Sequence, residues 1–299
     1  MGNGMTTVES TVTSYYGQSG LLGRILGGLT EAGIDAQKPT VQDLYRFDQL
    51  HGRGIVATKE HAEAAGICAG MHVLDLGCGI GGASRFLAEL GCRVTGVDLT
   101  PEFIEVAREL TRRCGLTDAI EFHVANALDL PFPDARFDHV WSHNVSMNIA
   151  DKAGFARAAA RVLKPGGRFS CAEVERGPAT AEPTLPLPWA SEPSSSFLAT
   201  PAQMKAALEA AGLRIIAQND MTESGLTFAR EAAERAKRGE PPVAANHFAM
   251  GDTMPARVPN MVQALREGAL VEQIIVARRD ERRFRVFVSP PVSRMLCSV

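Results

Sequence analysis

The chain has 299 residues, of which 45% are hydrophobic and 22% are charged, and its formal net charge is −3. This balance is typical of a globular protein and excludes disordered, collagen-like and coiled-coil chains. A chain of this length buries roughly 74% of its unfolded surface, so neither a disulfide nor a metal ion is needed to hold its core. The small negative charge predicts no binding to nucleic acid, and no apolar run approaches the ~20 residues of a membrane span.

The amino terminus and the cysteines indicate the cellular compartment. The sequence MGNGMTTVES has no basic start followed by an apolar run, so we expect no secretory signal. The six cysteines are scattered, with no C-x-x-C pair and no metal-ligand spacing. We therefore expect reduced thiols in a cytoplasmic protein and no metal site.

Residues 1–70 have a helical pattern and are predicted to form an N-terminal helical cap. One helix is predicted over Gly20–Ala32 and another from Thr40 through Ala65. From residue 71 onward, short apolar runs bounded by Gly, Pro or Asp alternate with amphipathic stretches, a pattern that predicts buried strands and helices in turn. The first five strands are predicted at 71–76, 92–98, 119–124, 137–142 and 167–174, with helices at Pro101–Cys114 and Asp151–Leu163.

The regular alternation ends near residue 175. Residues 177–200 are rich in proline and are predicted to form a lid loop, because long irregular segments in compact proteins commonly cover binding sites. Order returns with a helix that starts at Thr200-Pro201. Strands are then predicted at 213–218 and 271–277, a helical insertion with a break at 239–242 is predicted at 223–268, and the domain of residues 71–280 is followed by a tail, 281–299.

Together these elements predict an α/β fold. The alternation of strand and helix favours a doubly wound, seven-stranded, mostly parallel sheet with helices on both faces. The N-terminal helical cap and the helical insertion before the last strand are additions to that sheet.

The run VLDLGCGIGG over residues 73–82 is the sharpest motif in the chain. It predicts an apolar strand that leads into a glycine turn at the start of a helix, where Gly77, Gly79 and Gly82 fit the G-x-G-x-x-G pattern. Glycine allows the backbone to approach a ligand, and the amides of a helix N-terminus face that ligand. Asp98 ends the next predicted strand, where a carboxylate accepts hydrogen bonds from the two hydroxyls of a ribose. These features predict a cofactor that contains a nucleoside.

The glycine pattern alone leaves the identity of that cofactor open. Asp75 lies two residues before the first glycine, where its carboxylate would repel the pyrophosphate of a dinucleotide. Next to the sulfonium and ammonium groups of S-adenosyl-L-methionine, which carries no phosphate, the same carboxylate is favourable. The residues therefore favour S-adenosyl-L-methionine, with a dinucleotide and a purely structural glycine turn as the alternatives.

Four successive segments, DLGCGIGG, VDLTPEFIEVA, NALDLPFPDARFDHVWS and RVLKPGGRF, resemble the motifs of the class I S-adenosylmethionine-dependent methyltransferases. The resemblance is strong over residues 71–220. Where the family commonly has Asp at the first adenine position, this chain has Asn. The resemblance implies a cofactor site with Gly77 and Gly79 along the methionine portion, Asp98 at the ribose, Leu99 on the adenine ring, and Asn126 and Ala127 at the adenine edge.

Among the subfamilies, the chain is most similar to methyltransferases of small molecules such as sarcosine, dimethylglycine and phosphoethanolamine. The resemblance implies that Tyr16 caps the sulfonium side of the cofactor and takes part in catalysis. It also implies that Thr58 reaches the methionine tail of the cofactor. Arg53 is expected to pair with a carboxylate of cofactor or substrate, and Tyr15 is expected in the substrate pocket.

The segment Ser142–Ile149 follows a central strand, at the sheet edge where open α/β proteins bind ligands. His143, Asn144 and Asn148 are the catalytic candidates in this segment. His143 either acts as a general base or hydrogen-bonds the cofactor, and the two amides orient the substrate. Phosphoethanolamine enzymes carry Arg, Asp and His at these positions, and geranyl diphosphate C-methyltransferases carry Glu at the position of Asn144, so the chain departs from both. The other histidines, His51 among them, are expected to be structural or exposed.

Met147, Trp189 and His247 complete the predicted substrate pocket. The aromatic face of Trp189 suits a methylated cation. The predicted reaction is methyl transfer to a nitrogen, oxygen or carbon of a small molecule, with N-methylation of an amine or amino acid favoured. A non-methylating cofactor-binding protein on the same fold, such as a cyclase or regulator, is the alternative, and a dinucleotide-dependent oxidoreductase comes third. A small-molecule acceptor is the expected partner, with no nucleic acid and no membrane, for a monomer or homodimer.

Overall fold

The structure is a computed structural model that describes residues 9, 10, 13, 20–240 and 254–281. In this part of the chain no helix is long and apolar enough to cross a membrane. The helices are α1 (Leu21–Glu31), α2 (Val41–Asp48), α3 (Ile55–Ala65), α4 (Gly82–Glu89), α5 (Pro101–Arg113), α6 (Lys152–Val162), α7 (Pro201–Ala210), α8 (Thr222–Lys237) and α9 (Met254–Arg266). The strands are β1 (His72–Leu76), β2 (Arg93–Asp98), β3 (Ile120–Val124), β4 (Phe137–His143), β5 (Leu163–Arg176), β6 (Leu213–Asp220) and β7 (Leu270–Arg279).

The seven strands of the described residues form one sheet in the order β3-β2-β1-β4-β5-β7-β6. The first five strands of the chain pair in parallel, and β7 lies antiparallel between β5 and β6. The predicted doubly wound, mostly parallel sheet is therefore confirmed. The strand order reverses between β1 and β4, and ligands of such sheets bind outside the carboxyl ends of the strands at that point.

The strands are stable because their apolar side chains are shielded by helices on the two faces of the sheet. In β1, for example, Val73 and Leu74 are completely buried. Fully burying an aliphatic side chain of this size contributes roughly 1.5–3 kcal/mol. Helix boundaries follow local signals as well: Thr40 begins α2 through a capping box with Asp43, in which each side chain bonds the backbone amide of the other residue.

The single helix predicted from Thr40 through Ala65 is wrong. The interhelical segment, residues 49–54, separates α2 from α3. Arg53 and Gly54 have φ angles of 63° and 53°, values that a right-handed helix does not contain. The apolar spacing continues on both sides of the break, which is why the pattern suggests one helix.

A buried ion pair holds the end of α2 against α4. The guanidinium Nη2 of Arg85 lies 2.9 Å from Oδ2 of Asp48, and both side chains are fully buried. Arg85 also donates to the carbonyl oxygen of Ile80 at 2.8 Å and to the hydroxyl of Thr111 at 3.1 Å. Because loss of either partner would leave an unpaired charge in the interior, the pair fixes the position from which the interhelical segment starts.

The described part of the predicted N-terminal cap shares its core with the sheet. Ala62 of α3 belongs to the same buried cluster as Val73 of β1 and Trp141 of β4. Ala64 packs against a second cluster that contains Ile274 of β7. A domain boundary at residue 70 stays a prediction, and α3 is one of the helices that cover the sheet.

Side chains of α9 hold the proline-rich segment of residues 177–200. Arg257 donates to the carbonyl oxygen of Leu187 at 2.7 Å, and Asn260 donates to that of Pro186 at 3.1 Å. Leu187 is completely buried. The segment is thus packed against the domain, and its function as a closing lid stays a prediction.

Candidate active site

The first cavity lies beyond the carboxyl ends of β1 and β4, where the strand order reverses. Its volume is about 460 Å³. The glycine turn after β1, the interhelical segment and the loop after β4 form its walls. The structure thus brings most of the predicted site residues to one place. Those that line the cavity are Asp75, Gly77, Gly79, Asp98, Leu99, Asn126, Ala127, His143, Asn144 and Asn148.

Gly77 and Gly79 allow two neighbouring loops to approach the turn. Their φ angles of 80° and 53° lie in the left-handed region, which glycine adopts without a steric penalty. A Cβ atom on Gly77 would lie 2.3 Å from Cγ2 of Val145, and one on Gly79 would lie 3.2 Å from Cδ1 of Leu50. The glycines therefore set the shape of the cavity, in addition to leaving the backbone accessible.

Asp98 at the end of β2 is oriented by backbone amides. Its Oδ2 accepts from the amide of Gly79 and its Oδ1 from the amide of Thr100, both at 2.9 Å. Burial raises the pKa of Asp98, and these amide hydrogen bonds oppose the shift. Each carboxylate oxygen retains a further lone pair, so the group is placed to accept hydrogen bonds from a ligand.

Asp75 lies deeper in the cavity and is almost completely buried. Its Oδ2 accepts a hydrogen bond of 2.5 Å from the hydroxyl of Ser84. Burial raises the pKa of Asp75 to about 7, the Ser84 hydrogen bond opposes this shift, and the charge of Asp98 adds to it. A cation bound beside Asp75 would favour the ionised carboxylate and lower this pKa again.

Leu99, Asn126 and Ala127 form the opposite end of the first cavity. The Oδ1 atom of Asn126 accepts from the amide of Leu128 at 2.9 Å, and its Nδ2 donates to Oε1 of Glu9 at 2.5 Å. Glu9 lines the same cavity. The amide group is therefore held at this end, where the sequence predicts an adenine edge.

Two buried histidines stack on each other in the wall of the first cavity. The rings of His51 and His143 are nearly parallel, at 11°, and their centroids lie 3.6 Å apart. Burial lowers the pKa of His51 to about 4 and the pKa of His143 well below its usual value, so both rings are neutral near pH 7. The structure thus places His51, which is expected from the sequence to be structural or exposed, beside the strongest catalytic candidate.

Two buried polar atoms of this wall have no hydrogen-bond partner among the described residues. They are Nδ1 of His143 and Oδ1 of Asn148, and both residues line the first cavity. Buried polar atoms are nearly always satisfied in folded proteins. The two atoms are themselves inaccessible to solvent, so a ligand in the cavity would reach them only after these side chains reorient.

Thr58 is fully buried and is not among the residues that line this cavity or its neighbour, and its contact with the cofactor stays a prediction. Its hydroxyl donates to Oε1 of Gln49 at 2.6 Å and lies 3.1 Å from Nε2 of His51. The Nδ1 atom of His51 donates to the carbonyl oxygen of Gly52 at 3.0 Å. Because Gln49 and His51 line the cavity, Thr58 acts as a positioning residue behind them.

A second cavity of about 860 Å³ adjoins the first. Leu50, His51 and Asn144 line both cavities and so form the junction between them. Helices α8 and α9 and the proline-rich segment surround the second cavity, and the predicted pocket residues Met147 and Trp189 line it.

The backbone of Asn144 at this junction is strained. Its φ angle of 55° is uncommon outside glycine, and such a conformation costs of order 1–3 kcal/mol.

Arg53 lines the second cavity and not the first, which places it away from the expected cofactor site. Its guanidinium forms ion pairs with Glu60 and with Glu272, the latter at 3.3 Å. Two carboxylates of the protein therefore already neutralise the charge that the sequence assigns to a ligand carboxylate.

Glu173, a residue that sequence reasoning missed, holds the loop after β4 from behind. Its carboxylate accepts from the amides of Val145 at 3.4 Å and of Ser146 at 3.1 Å. From the other side, Lys152 donates to the carbonyl oxygens of Ser146 and Ile149, each at 2.5 Å. The available signal was a pair of acids, Glu173 and Glu175, in the buried half of β5.

Three predicted site residues, Tyr15, Tyr16 and His247, lie outside the described residues. Their roles stay predictions. Where the structure describes the chain, it contains no group of three or more side chains that could hold a metal ion.

Structural comparison defines the class of fold. The crystal structure of geranyl diphosphate C-methyltransferase from Streptomyces coelicolor A3(2) superimposes with a TM-score of 0.67 and 18% sequence identity, covering 92% of this chain and 98% of that one. At this identity the likeness concerns the fold alone. The chain has the Rossmann-like α/β methyltransferase fold.

Sequence comparison adds the family of the central region. Residues 74–171 match the family model described as a methyltransferase domain. Methyltransferase GfsG of Streptomyces halstedii is 36% identical over 129 residues, which are 43% of this chain and 46% of that protein. Phosphoethanolamine N-methyltransferase 1 of Arabidopsis thaliana is 35% identical over 144 residues, covering 46% of this chain and 29% of that protein. Residues 74–171 therefore resemble a methyltransferase domain, as the motifs predict, and the chain spans less than half the length of these relatives.

Proposed function

We propose that the chain is an S-adenosyl-L-methionine-dependent methyltransferase that binds its cofactor in the first cavity and a small-molecule acceptor in the second. The observation that carries the proposal is the junction, where Leu50, His51 and Asn144 line both cavities. Group transfer requires the reacting atoms of two bound molecules to approach within about 3–3.5 Å. Adjoining cavities with a shared wall provide such a place, and the methyltransferase domain supports the assignment.

The residues of the first cavity fit this cofactor. Asp98 offers its oriented carboxylate to the ribose hydroxyls, and Asp75 offers a buried carboxylate to the ammonium group. Leu99 and Ala127 provide the apolar surface for the adenine ring. The ring of His143 lines the same cavity and would lie beside the cofactor. The buried carboxylate of Asp75 would repel a pyrophosphate, which favours this cofactor over a dinucleotide.

The chemistry asked of the protein is mainly alignment. The bound cofactor supplies an electrophilic methyl group: the acceptor's lone pair bonds to the methyl carbon while the bond from that carbon to sulfur breaks, leaving its electron pair on sulfur. Asn144 orients the acceptor at the junction, and His143 hydrogen-bonds the cofactor or the loop. A proton carried by the acceptor atom passes to solvent. Holding reactants in such an alignment supplies ~7–11 kcal/mol of the barrier reduction.

Two measurements test the proposal. Calorimetric titration with S-adenosyl-L-methionine and with NADH is expected to show saturable binding of the former alone. Incubation with methyl-labelled cofactor and a panel of amines, phenols and carboxylates is expected to label at least one acceptor. Binding without any transfer would instead support the non-methylating alternative, and preferential binding of NADH would overturn the cofactor assignment.

We also propose a cytoplasmic location and a monomeric or homodimeric state. In support of a reducing compartment, Cys68, Cys78, Cys92, Cys114 and Cys171 are all free thiols. Size-exclusion chromatography with light scattering measures the oligomeric state, and a tetramer or larger assembly would contradict it.

A further inference from the structure

We infer that the second cavity selects an uncharged, predominantly apolar acceptor of drug-like size; this inference rests on the proposed function. The cavity volume of about 860 Å³ lies in the upper part of the ~300–1,000 Å³ range of small-molecule sites. Its walls are largely apolar, and the lining residues include six large apolar side chains: Met147, Trp189, Phe228, Met254, Met261 and Leu265.

The largely buried charges that line the second cavity are already paired with each other and are not available to a charged substrate. Of the described residues that line it, Arg53, Arg266 and Glu272 carry formal charge, and Arg266 is exposed to solvent. Arg53 is paired with Glu272 at 3.3 Å and with Glu60. A phosphate or a carboxylate would have to break these pairs to reach the Arg53 guanidinium, since strong anion binding needs charge-assisted hydrogen bonds. Burying an anion there without such partners is costly.

Trp189, an aromatic residue of this wall, is uncharged, and its hydrogen-bond donor is already used within the protein. The indole N–H of Trp189 donates to the hydroxyl of Ser196 at 3.0 Å, so this side chain presents an apolar ring without an unused donor. The methionines are unbranched and flexible, which lets such a wall adapt to an irregular apolar body. An amine or amino acid, the acceptor expected from the sequence, would leave most of this surface without a contact.

The polar groups at the junction give the acceptor a direction. His51 and Asn144 stand where the second cavity meets the first, and both are uncharged near neutral pH. An acceptor that places its nucleophilic atom between them extends its apolar body toward α8 and α9. The acceptor class is therefore a molecule with a reactive polar end and an apolar remainder.

The test uses the neutral fluorescent probe N-phenyl-1-naphthylamine with the full chain saturated in S-adenosyl-L-methionine. Ala229 of α8 lines the second cavity, whereas Ala236 on the same helix is exposed and lies outside it. We expect saturable probe binding that Ala229→Phe weakens roughly tenfold or more, since the added ring would occupy space that the probe needs. Ala236→Phe is the matched control and should leave binding unchanged.

Competition against the bound probe measures the preference for charge. 1-Naphthol is expected to displace the probe at concentrations at least ~10-fold lower than 1-naphthyl phosphate, a difference of about 1.4 kcal/mol. Equal or better displacement by the phosphate, absence of saturable probe binding, or equal effects of the two Phe variants would overturn the inference. Calorimetry with S-adenosyl-L-methionine alone tests the proposed function separately, because Ala229 lies outside the first cavity.

Discussion

Asp75 should make cofactor affinity depend on pH. Its carboxyl has a pKa of about 7 because it is buried, with the nearby Asp98 charge adding to the shift. If the cofactor's ammonium group binds the ionised carboxylate, the apparent affinity follows the ionised fraction of the free protein. That fraction is ~0.09 at pH 6 and ~0.76 at pH 7.5 for a pKa of about 7. The dissociation constant should thus fall about eightfold, or ~1.2 kcal/mol, over this interval.

The sign follows from the direction of the shift. Below the raised pKa the carboxyl is protonated in the free protein, so binding of the ammonium must first displace a proton. Above this pKa the carboxyl is already ionised in the free protein, and affinity no longer rises with pH. At the upper limit of pH 7.5 the cofactor's own amino group, with an α-amino pKa near 7.7–8.0, is still ~61–76% protonated, which reduces the eightfold change expected from Asp75 alone to about five- to sixfold.

Calorimetric titration of S-adenosyl-L-methionine at half-unit steps between pH 6 and pH 7.5 measures the effect. Asp75→Asn should bind more weakly and lose the pH dependence, because the amide neither ionises nor attracts the ammonium. 5′-Methylthioadenosine, which lacks the amino-acid portion, serves as the ligand control and should bind the wild-type protein with little pH dependence. An equal slope in wild type and Asp75→Asn would refute the placement of the ammonium beside Asp75.

Three further outcomes are expected. Asp98→Ala should weaken S-adenosyl-L-methionine binding by ~1–3 kcal/mol through the loss of charge-assisted ribose contacts, and unchanged calorimetric affinity in a folded variant would reject that role. Arg85→Ala should lower the free energy of unfolding by ~3–5 kcal/mol in urea titration because Asp48 would be buried without its partner, and a loss below ~1 kcal/mol would contradict this reasoning. His143→Gln should retain a substantial part of kcat and mainly raise a KM, whereas a fall of ~10²–10⁴, rescued by imidazole, would identify His143 as the base.

The sequence predicts those parts of the site that lie next to a strand. The glycine turn with Asp75, Asp98 at the end of β2, and His143 at the end of β4 all follow an apolar run. Their arrangement is a consequence of parallel pairing, because parallel strands bring their carboxyl ends to one edge. A local pattern is therefore enough to place these residues together.

Other site residues depend on contacts that no local pattern encodes. His51 lies 92 positions before His143, in a segment that the apolar spacing assigns to a helix, and it stacks on His143 at 3.6 Å. The buried pair of Arg85 and Asp48 brings that segment over the glycine turn. Predicting this contact would require knowing that an arginine in α4 is buried, whereas arginines are mostly exposed. The second cavity is likewise enclosed by helices far apart in the chain.

The charges of the two cavities suit a reaction that moves a methyl group from a cation to a neutral molecule. Asp75 and Asp98 line the first cavity, where their carboxylates favour a cationic cofactor. The junction itself carries no formal charge near pH 7, since His51 is neutral and Leu50 and Asn144 cannot ionise. In the proposed transfer, positive charge would spread from sulfur toward the acceptor, and a neutral wall would penalise the localised charge more than the dispersed one. A protonated His51 would repel the positive charge that moves across the junction. The burial that keeps this ring neutral would therefore also favour the transfer step.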